Sequence, residues 1–420
     1  MDIPTIILKS RSKLFMQICY LFDIDLIERK EYPNFPKLPN HAIMKLSSYY
    51  KLKGYEVKLI YSIKQIPITH NPNNIYIGSA LYTGNLNRFK RRLNKPKKYK
   101  NQLTIDKIHI GTPTDTCPIT DIKGLQCDYT EYDKMIKQDN IKLGWYPVNV
   151  GFLTRGCKRH CKFCVNRDKN EIKPVNTLEE IYVKKGYDIE LLDDNLFASD
   201  NATEYLNQIA DFAEKHNIQF ELRNGLDLRA KPKPDKLKAL NRASKYFRSL
   251  HCAWDDVKNT YIFNNIMDLK KHTNKEIRCY ILCGVNITNE KELYNDLLGL
   301  FYRYYLLRKI NTKPYIAVFE DDTLKYHNPY FNLYKLIKNR YYIMNANLTT
   351  YLKRQISLSN LTLADTIIDI LGDYSWLVEK KVGKIVDMPN FYNVFNSIAD
   401  EINVKHVNPE VMNFRKIKRE

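Results

Sequence analysis

The second half of the chain alternates between strand-like and helix-like segments. Six apolar runs of strand length follow one another from residue 146, and helix-length segments such as 202–216 and 289–308 separate them. The six runs are YPVNVGFLT, YDIELLDD, IQFELRNG, FRSLHCAWD, IRCYILCGVN and KPYIAVFED. Regular alternation of this kind favours parallel strands joined by helical crossovers. The pattern therefore predicts a partial (β/α)6 barrel over residues 146–325.

The first part of the chain shows a shorter version of the same alternation. LFDIDLIERKE at 21–31 alternates like a strand, and HAIMKLSSYYKLKGYEVKLIYSI has the pattern of an amphipathic helix, a stop at Gly54 and a second strand. NNIYIGSALYT and DKIHIGTP add two further strands. We expect a doubly wound parallel-sheet α/β domain over residues 20–112, preceded by a basic N-terminal extension at 1–19.

Two segments lack strand signals. Residues 113–145 contain Pro, Thr, Asp and Gly without clear periodicity, which favours a linker or an extended crossing segment. Beyond residue 325 the sequence PYFNLYKLIKNRYYIMNANLTTYLKRQISL has helical spacing. We expect residues 326–420 to form a helical C-terminal region.

The composition indicates the kind of compartment. The N-terminus does not have the features of a signal peptide, and no apolar run approaches the roughly 20 residues that cross a bilayer. We therefore expect a soluble cytoplasmic protein without a membrane partner. The chain has nine cysteines. In a reducing compartment, clustered cysteines are more often metal ligands than disulfides.

Three cysteines, Cys157, Cys161 and Cys164, follow the first predicted barrel strand, which ends at Gly156. Active sites of β/α barrels form at the carboxyl ends of the strands, so these thiols are expected at the mouth of the barrel. A structural zinc ion needs four ligands, and although His160 lies inside the run, a second Cys-x-x-Cys half is missing. An iron–sulfur cubane held by three thiolates keeps one iron open for a ligand from outside the protein. The iron–sulfur cluster is favoured, with structural zinc as the alternative.

The cysteine spacing resembles that of a known superfamily. Cys157-Lys-Arg-His-Cys161-Lys-Phe-Cys164 has the C-x-x-x-C-x-x-C signature of radical S-adenosylmethionine (radical SAM) enzymes, including the aromatic Phe163 before the last cysteine. The lead-in GFLTRGC is typical of members with an N-terminal cobalamin-binding-like domain. The resemblance implies a 4Fe–4S cluster whose open iron binds S-adenosylmethionine. It also implies reductive cleavage of that molecule to a 5′-deoxyadenosyl radical, with an electron donor such as flavodoxin or ferredoxin.

The resemblance further suggests which residues bind S-adenosylmethionine. The candidates are Phe163, Asp193, Asp194, Asn195, Asn224, Arg229, Asp255 and Gly284. LLDDN stands where many members have a Gly-Gly-Glu-like motif that holds the amino group, although Asp194 could equally cap a helix. LRNGLDLR resembles a third-strand turn of these proteins, where Arg229 could pair with the cofactor's carboxylate or form a salt bridge with Asp227.

Two further positions are carried over from the fourth and fifth strands. Trp254 and Asp255 end the fourth predicted strand, where ribose contacts are common in the superfamily. Gly284, in YILCGVNITNE, matches a fifth-strand glycine that lets the backbone approach adenine, or it serves a simple turn.

The N-terminal segment raises the question of a second cofactor. Residues 21–62 resemble the first β-α-β unit of the cobalamin-binding-like domain. The usual cobalamin motif is Asp-x-His-x-x-Gly, and none of the nine histidines has an Asp two residues before it. We therefore expect an N-terminal domain that faces the substrate and lacks cobalamin.

The remaining cysteines divide into two groups. Cys252, Cys279 and Cys283 lie in predicted strands and are expected to pack in the core. Cys117 and Cys127 could ligate an auxiliary cluster, but their linker setting favours no such role.

The net charge of +20 and the pI near 9.3 suggest an anionic partner such as nucleic acid. The excess is mostly lysine in a chain that is also rich in Ile, Asn and Tyr, so A/T-rich codon usage is a competing explanation. The densest run is RFKRRLNKPKKYK at 88–100, which could track a phosphate backbone or be a solvated loop. RNA or DNA modification is thus one hypothesis. A small molecule or peptide as substrate, and a non-catalytic iron–sulfur module that binds nucleic acid, are the alternatives.

Overall fold

The structure is a computed structural model. It describes residues 17–28, 38–67, 70–81, 83–94, 103–112, 119, 122–139, 143–144, 146–285, 287 and 290–318. The chain divides into two compact units, Met1–Leu153 with Pro174–Glu190, and Thr154–Lys173 with Leu191–Glu420. The expected helical region at 326–420, and all but the last three residues of the expected N-terminal extension, lie outside the described residues.

The first unit contains a parallel four-stranded sheet, as the sequence predicts. Its strands are β1 (Ile18–Asp23), β2 (Glu56–Ile60), β3 (Ile75–Ser79) and β4 (His109–Gly111), in the order β2-β1-β3-β4. Helices α1 (Ile24–Ile27), α2 (His41–Leu52) and α3 (Thr83–Leu93) lie between them in sequence. The chain moves from β1 to β2 toward one edge of the sheet and from β3 to β4 toward the other, which is the strand order of a doubly wound sheet.

The first strand is shorter than its sequence pattern suggested. It begins at Ile18, inside the expected N-terminal extension, and ends at Asp23 instead of continuing to residue 31. The chain turns into α1 because the Asp23 carboxylate caps this helix by accepting a hydrogen bond from Leu26 N–H at 3.1 Å. Phe22 remains fully buried in a core that it shares with Ile60 and Phe89.

The segment expected to be a linker contains a helix. Helix α4 (Thr130–Asp139) lies within residues 113–145, so the prediction of irregular structure there was wrong for its second half. Only Tyr132 and Met135 of this helix are fully buried. Two buried positions do not produce the repeated apolar pattern by which an amphipathic helix is recognised in a sequence. The first unit also contains β5 (Asn149–Gly151), α5 (Leu178–Ile181) and the start of β8 (Ile189–Leu191).

The second unit begins with β6 (Thr154–Arg155), and its cysteine loop reaches β7 (Lys173–Pro174). The elements that follow the end of β8 are α6 (Ala202–His216), β9 (Phe220–Leu222), α7 (Pro234–Ser244), β10 (Leu250–Ala253), α8 (Tyr261–His272), β11 (Ile277–Cys283), α9 (Glu290–Lys309) and β12 (Lys313–Val318). The six runs predicted as strands therefore contain β5 and β8 to β12. The closure of these strands into a partial barrel stays a prediction.

The sheet formed by β10, β11 and β12 has two different faces. Its strands are parallel, and Leu250 pairs with Ile277 while Cys252 pairs with Cys279. Residues paired in register point to the same face, so these side chains share one apolar face, which is buried. The expectation that Cys252, Cys279 and Cys283 pack in the core is confirmed, since all are buried free thiols. The opposite face carries polar and aromatic side chains.

No helix in the described part of the chain is long and apolar enough to span a membrane.

Candidate metal centre

The loop between β6 and β7 carries the three clustered cysteines. Cys157 is buried, Cys161 and Cys164 are half-buried, and all are free thiols. Cys164 N–H donates to Cys161 O at 2.9 Å, and Cys157 N–H donates to Lys169 O at 3.1 Å. These bonds fold the loop back on itself, so its sulfur atoms are held by a defined backbone.

The loop depends on a glycine at its start. Gly156 has φ +110°, and a Cβ added there would lie 1.6 Å from Glu171 O. No other residue fits this position without moving the returning strand of the loop. The glycine that precedes the first cysteine is therefore a geometric requirement of the loop.

Backbone N–H groups of the loop point at two of the sulfur atoms. Arg159 N–H donates to Cys157 Sγ at 3.4 Å, and Asn166 N–H donates to Cys164 Sγ at the same distance. Donors of this kind stabilise thiolates, the form of cysteine that binds metals.

Side chains from neighbouring strand ends add two further donors. Asn195 Nδ2 donates to Cys157 Sγ at 3.3 Å, and Arg229 Nη1 donates to Cys161 Sγ at 2.8 Å. Each of the three cysteines thus receives at least one N–H donor. The donor set suits a cluster bound by three thiolates, because hydrogen bonds to the sulfur atoms are one of the features that stabilise such clusters.

His160 does not take part in this arrangement. Its Nδ1 lies 2.8 Å from Arg167 O, to which it must donate because a carbonyl only accepts. Within the described residues, no group of three or more His, Cys, Asp or Glu side chains converges to hold a single metal ion. In a 4Fe–4S cubane each cysteine binds a different iron, so the three sulfur atoms need not converge on one point.

The two aspartates of LLDDN hold the start of the cysteine loop. Asp193 Oδ1 accepts from Thr154 N–H at 2.5 Å and from Thr154 Oγ1 at 2.7 Å. Asp194 accepts from Gly156 N–H at 2.7 Å and from Asn166 Nδ2 at 2.8 Å. Both carboxylates, predicted to bind S-adenosylmethionine, therefore position the backbone that carries the cysteines. The helix-cap alternative for Asp194 is not what the structure shows.

Asp227 joins the residues that contact the sulfur atoms. It accepts from Asn195 Nδ2 and from Arg159 Nε, both at 2.9 Å, and from Arg229 Nε at 2.8 Å. Burial alone would raise the pKa of Asp227, but its bonds to Arg229, Asn195 and Arg159 hold that pKa well below its usual range. The salt bridge between Arg229 and Asp227, the alternative to a role in cofactor binding, is present in the structure.

Three other residues predicted to contact the cofactor lie in different parts of the second unit. Asn224 Nδ2 donates to Leu192 O at 3.0 Å and to Asp193 O at 2.8 Å, so it joins two strand ends. Phe163 is half-buried in the cysteine loop. Gly284 has φ +78°, and its N–H donates to Asp296 Oδ2 at 2.6 Å, which fits the turn that was the simpler explanation for this glycine.

Asp255 and Trp254 lie on different sides of the end of β10. Trp254 is fully buried against Phe263 and Tyr302. The Asp255 carboxyl is partly covered, and this burial raises its pKa although the charges of Arg229 and Arg303 oppose the rise. Asp255 therefore lies within electrostatic reach of the Arg229 network, whereas Trp254 belongs to the core.

Sequence reasoning missed the buried Arg303 of α9. Its side chain is 1% exposed, and Nη1 donates to the carbonyl oxygens of Trp254, Asp255 and Leu282 at 2.7, 2.9 and 3.0 Å. It thereby ties the ends of β10 and β11 together. The sequence contains one signal, an arginine flanked by aromatic and apolar residues within a helix. Many exposed arginines have the same sequence context, so this signal does not predict burial.

The two remaining cysteine candidates give no second cluster in the described part of the chain. Cys117 lies outside the described residues. Cys127 is buried, its Sγ donates to Val150 O at 3.6 Å, and burial raises the pKa of this thiol to about 12.

Part of the basic run at 88–100 lies in α3. Arg88 Nε and Arg92 Nη2 lie 3.9 and 3.5 Å from the buried Glu28 Oε2, whereas Lys90 and Arg91 are exposed. Residues 95–100 lie outside the described residues. The local positive charge of α3 is thus smaller than its sequence suggests.

Comparisons with known proteins complete the description. No family model and no curated protein matches the chain. Two solved structures of the radical S-adenosylmethionine methyltransferase TsrM from Kitasatospora setae are similar to it, each at 10% identity, a TM-score of 0.46 and 72% coverage of this chain. The first contains cobalamin and a 4Fe–4S cluster, and the similarity covers 75% of its chain. The second contains tryptophan substrate and the SAM analogue aza-SAM, and the similarity covers 73% of its chain.

A third similar structure is apo OxsB, a cobalamin-dependent S-adenosylmethionine radical enzyme. OxsB is 13% identical to this chain with a TM-score of 0.35, and the similar region covers 94% of this chain and 62% of OxsB. At these values the similarities assign no activity or cofactor to the chain. They also give no support to the expectation that the N-terminal domain lacks cobalamin, because these proteins bind or depend on it.

Proposed function

We propose that the chain is a radical SAM enzyme that holds a 4Fe–4S cluster through Cys157, Cys161 and Cys164. The observation that carries this proposal is the C-x-x-x-C-x-x-C loop in which every sulfur receives an N–H donor. When bound, such a cluster supplies the electron that cleaves S-adenosylmethionine to methionine and a 5′-deoxyadenosyl radical. An external flavodoxin or ferredoxin would deliver this electron.

Within this proposal the residues around the loop have separable roles. Asp193 and Asp194 fix the start of the loop, and Asn195 orients Cys157 while it also bonds to Asp227. Arg229 places a positive charge beside Cys161, which offsets part of the negative charge that three thiolates would bring.

The binding of S-adenosylmethionine belongs to the same proposal. Asp255 lies within electrostatic reach of Arg229 beside the cysteine loop and offers a carboxylate to the amino group of a zwitterionic amino acid. Phe163, Asn224 and Gly284 stay candidates from the resemblance. Because Asp193, Asp194 and Asn195 have protein partners already, we assign them the positioning of the loop first and cofactor contact second.

The metal content tests this function. Anaerobically reconstituted protein is expected to hold about four irons per chain and to show the brown chromophore of an iron–sulfur cluster. Changing Cys157, Cys161 and Cys164 together to Ala should remove both, whereas Cys252→Ala, a matched control at a buried thiol, should keep them. Stoichiometric zinc without iron would contradict the proposal.

The cleavage products test the reaction class. Reduced protein is expected to convert S-adenosylmethionine slowly to 5′-deoxyadenosine and methionine in the absence of substrate. S-adenosylhomocysteine as the sole product would instead indicate methyl transfer. Cobalamin that stays bound at equal stoichiometry through gel filtration would overturn the expectation from the sequence that the N-terminal domain lacks it.

Nucleic acid is a second candidate partner because Lys90 and Arg91 of α3 are exposed. A salt titration of binding to total tRNA and to DNA, comparing wild type with the Lys90→Glu and Arg91→Glu double variant, tests it. Exposed Lys53 and Lys58 of the same unit, changed to Glu, are the matched control. A steep salt dependence lost only in the α3 variant supports nucleic acid. Absence of binding at low salt favours a small molecule or peptide, and binding without cofactor cleavage favours a non-catalytic module.

A further inference from the structure

His251 lies on the polar face of the β10–β11–β12 sheet. It pairs in register with Arg278, whereas its neighbours along the strand, Leu250 and Cys252, point to the opposite apolar face. The His251 side chain is only 5% exposed. A titratable ring is therefore buried on the face of the sheet that does not form the apolar core.

Two other buried polar residues hold one nitrogen of this ring. Ser249 Oγ lies 3.1 Å from His251 Nε2 and 3.1 Å from Glu221 Oε1, and Nε2 itself lies 3.4 Å from Glu221 Oε1. Glu221 and Ser249 are 4% and 5% exposed. The three side chains contact one another and form a cluster, which we call the Glu221 cluster.

The geometry of the Glu221 cluster determines the tautomer of His251. The Ser249 hydroxyl has a single proton, which it donates to the Glu221 carboxylate, so its oxygen accepts from the ring. An unprotonated Nε2 would also face a carboxylate oxygen and be repelled by it. The proton of the ring is therefore on Nε2, and Nδ1 has a lone pair.

The other nitrogen of His251 has no hydrogen-bond partner among the described residues. Nδ1 is buried, and no described residue forms a hydrogen bond with it. Burial and the charges of Arg278 and Arg223 lower the pKa of His251 to about 4, so the ring is neutral near pH 7. A buried acceptor without a donor destabilises a fold unless a ligand or water satisfies it.

An aromatic ring packs against the His251 ring. The Tyr280 ring meets the His251 ring edge-on with centroids 5.8 Å apart, and the ring centroids of Tyr280 and Tyr315 are in turn 4.8 Å apart.

The backbone also connects His251 to the metal centre. Leu226 N–H donates to His251 O at 2.7 Å, and Leu226 directly precedes Asp227 of the cysteine network.

We propose that His251 is a substrate-binding residue whose Nδ1 accepts a hydrogen bond from a neutral N–H or O–H group of a small-molecule substrate. This inference rests on the proposed function and narrows its substrate class. A carboxylate or phosphate oxygen at this position would face a lone pair and is disfavoured. The burial of His251 also disfavours a polymer, because a side chain that is almost inaccessible to solvent gives a polymer no surface on which to dock.

The first test is nitrogen NMR of the full-length reconstituted protein labelled with ¹⁵N-histidine. The His251 resonances are assigned as those missing in His251→Gln. We expect a protonated Nε2 and an unprotonated Nδ1 at pH 7 in the wild-type protein. In the double variant Ser249→Ala and Glu221→Gln we expect a mixture of tautomers, because the hydroxyl acceptor is lost and an amide can face Nε2 with either its oxygen or its N–H group. A proton on Nδ1, or a charged ring, in the wild-type protein would overturn the proposal.

The second test uses phenol as the probe and anisole as its control. The two molecules share a ring, but only phenol has an O–H group. Phenol is expected to shift the Nδ1 resonance in a saturable way, whereas anisole should leave it unchanged. An equal response to both probes, or none to phenol, would overturn the proposal.

These outcomes are separable from the failure of the proposed function. Neither measurement needs cleavage of S-adenosylmethionine, so a protein with zinc in place of iron could still give the phenol response. Conversely, a protein that holds iron and cleaves S-adenosylmethionine could show no phenol response. If His251→Gln does not fold, the His251 signal is assigned by elimination with single variants of the other eight histidines.

Discussion

Arg229 donates a hydrogen bond from Nη1 to Cys161 Sγ at 2.8 Å while Nε and Nη2 of the same guanidinium bond to Asp227 at 2.8 and 3.1 Å. Asp227 thus fixes the guanidinium beside the sulfur. An arginine held by two partners does not swing freely toward a third carboxylate, because it would first lose both charge-assisted bonds. Arg229 therefore acts chiefly on the metal centre.

The first prediction concerns the reduction potential of the cluster. In Arg229→Gln the positive charge beside Cys161 is lost, and the reduced, more negative cluster becomes harder to form. We expect the potential to fall by an amount on the order of tens of millivolts. An anaerobic redox titration followed by electron paramagnetic resonance measures it. Arg242→Gln, which removes a surface ion pair with Asp211, is the control and should change nothing. A higher potential in Arg229→Gln would contradict the assignment.

The second prediction concerns Gly156. Gly156→Ala should lose most of its iron after reconstitution, since the added Cβ would collide with Glu171 O and displace the cysteine loop. Gly186→Ala is a matched control, because Gly186 also has a positive φ of +80° but has open space around it. It should cost only backbone strain of about 1 kcal/mol and keep its iron. Full iron content in Gly156→Ala would show that the loop can rearrange.

The third prediction concerns the pH dependence of the first unit. Burial, together with the neighbouring Asp25, raises the pKa of Asp23 from 3.8 to about 7 although Tyr132 donates to it. The folded state therefore binds this proton more tightly than the unfolded state, and the stability contributed by Asp23 falls as the pH rises from about 4 to about 7.

Asp23→Asn should remove this part of the pH dependence. The variant keeps the oxygen that caps α1, and at pH 8 its free energy of unfolding should exceed that of the wild type by up to about 4 kcal/mol. Denaturant unfolding at a series of pH values measures the difference. A variant that is less stable than the wild type at pH 8, with an unchanged slope between pH 4 and 7, would contradict it.

The fourth prediction concerns Arg303. Arg303→Met should lower the free energy of unfolding by about 3 kcal/mol or more, because the carbonyl groups of Trp254, Asp255 and Leu282 lose their buried donor. Removing its positive charge should also raise the pKa of Asp255 further. Arg242→Met, at an exposed site, should change stability by no more than about 0.5 kcal/mol. Equal stability of the two variants would contradict a structural role for Arg303.

Much of the secondary structure could be predicted because local periodicity encodes it. The strands β8 to β12 lie inside the runs quoted from the sequence, since each run is apolar over a strand length and is bounded by turn residues. The end of β1 and the presence of α4 could not be predicted. Asp23 ends β1 through a cap to Leu26, and α4 buries too few residues to show a pattern.

The sequence by itself determined the cysteine spacing, the glycine before it and the chemistry that such a loop favours, because these features lie within a few residues of one another. Only the tertiary structure decided how the surrounding polar residues are used. Asp194 turned out to hold the loop and Arg229 to contact Cys161, and His251 keeps one nitrogen without a partner in the described part of the chain. Each outcome depends on groups that are distant in sequence and adjacent only after folding, so the one-dimensional pattern contains no direct signal for them.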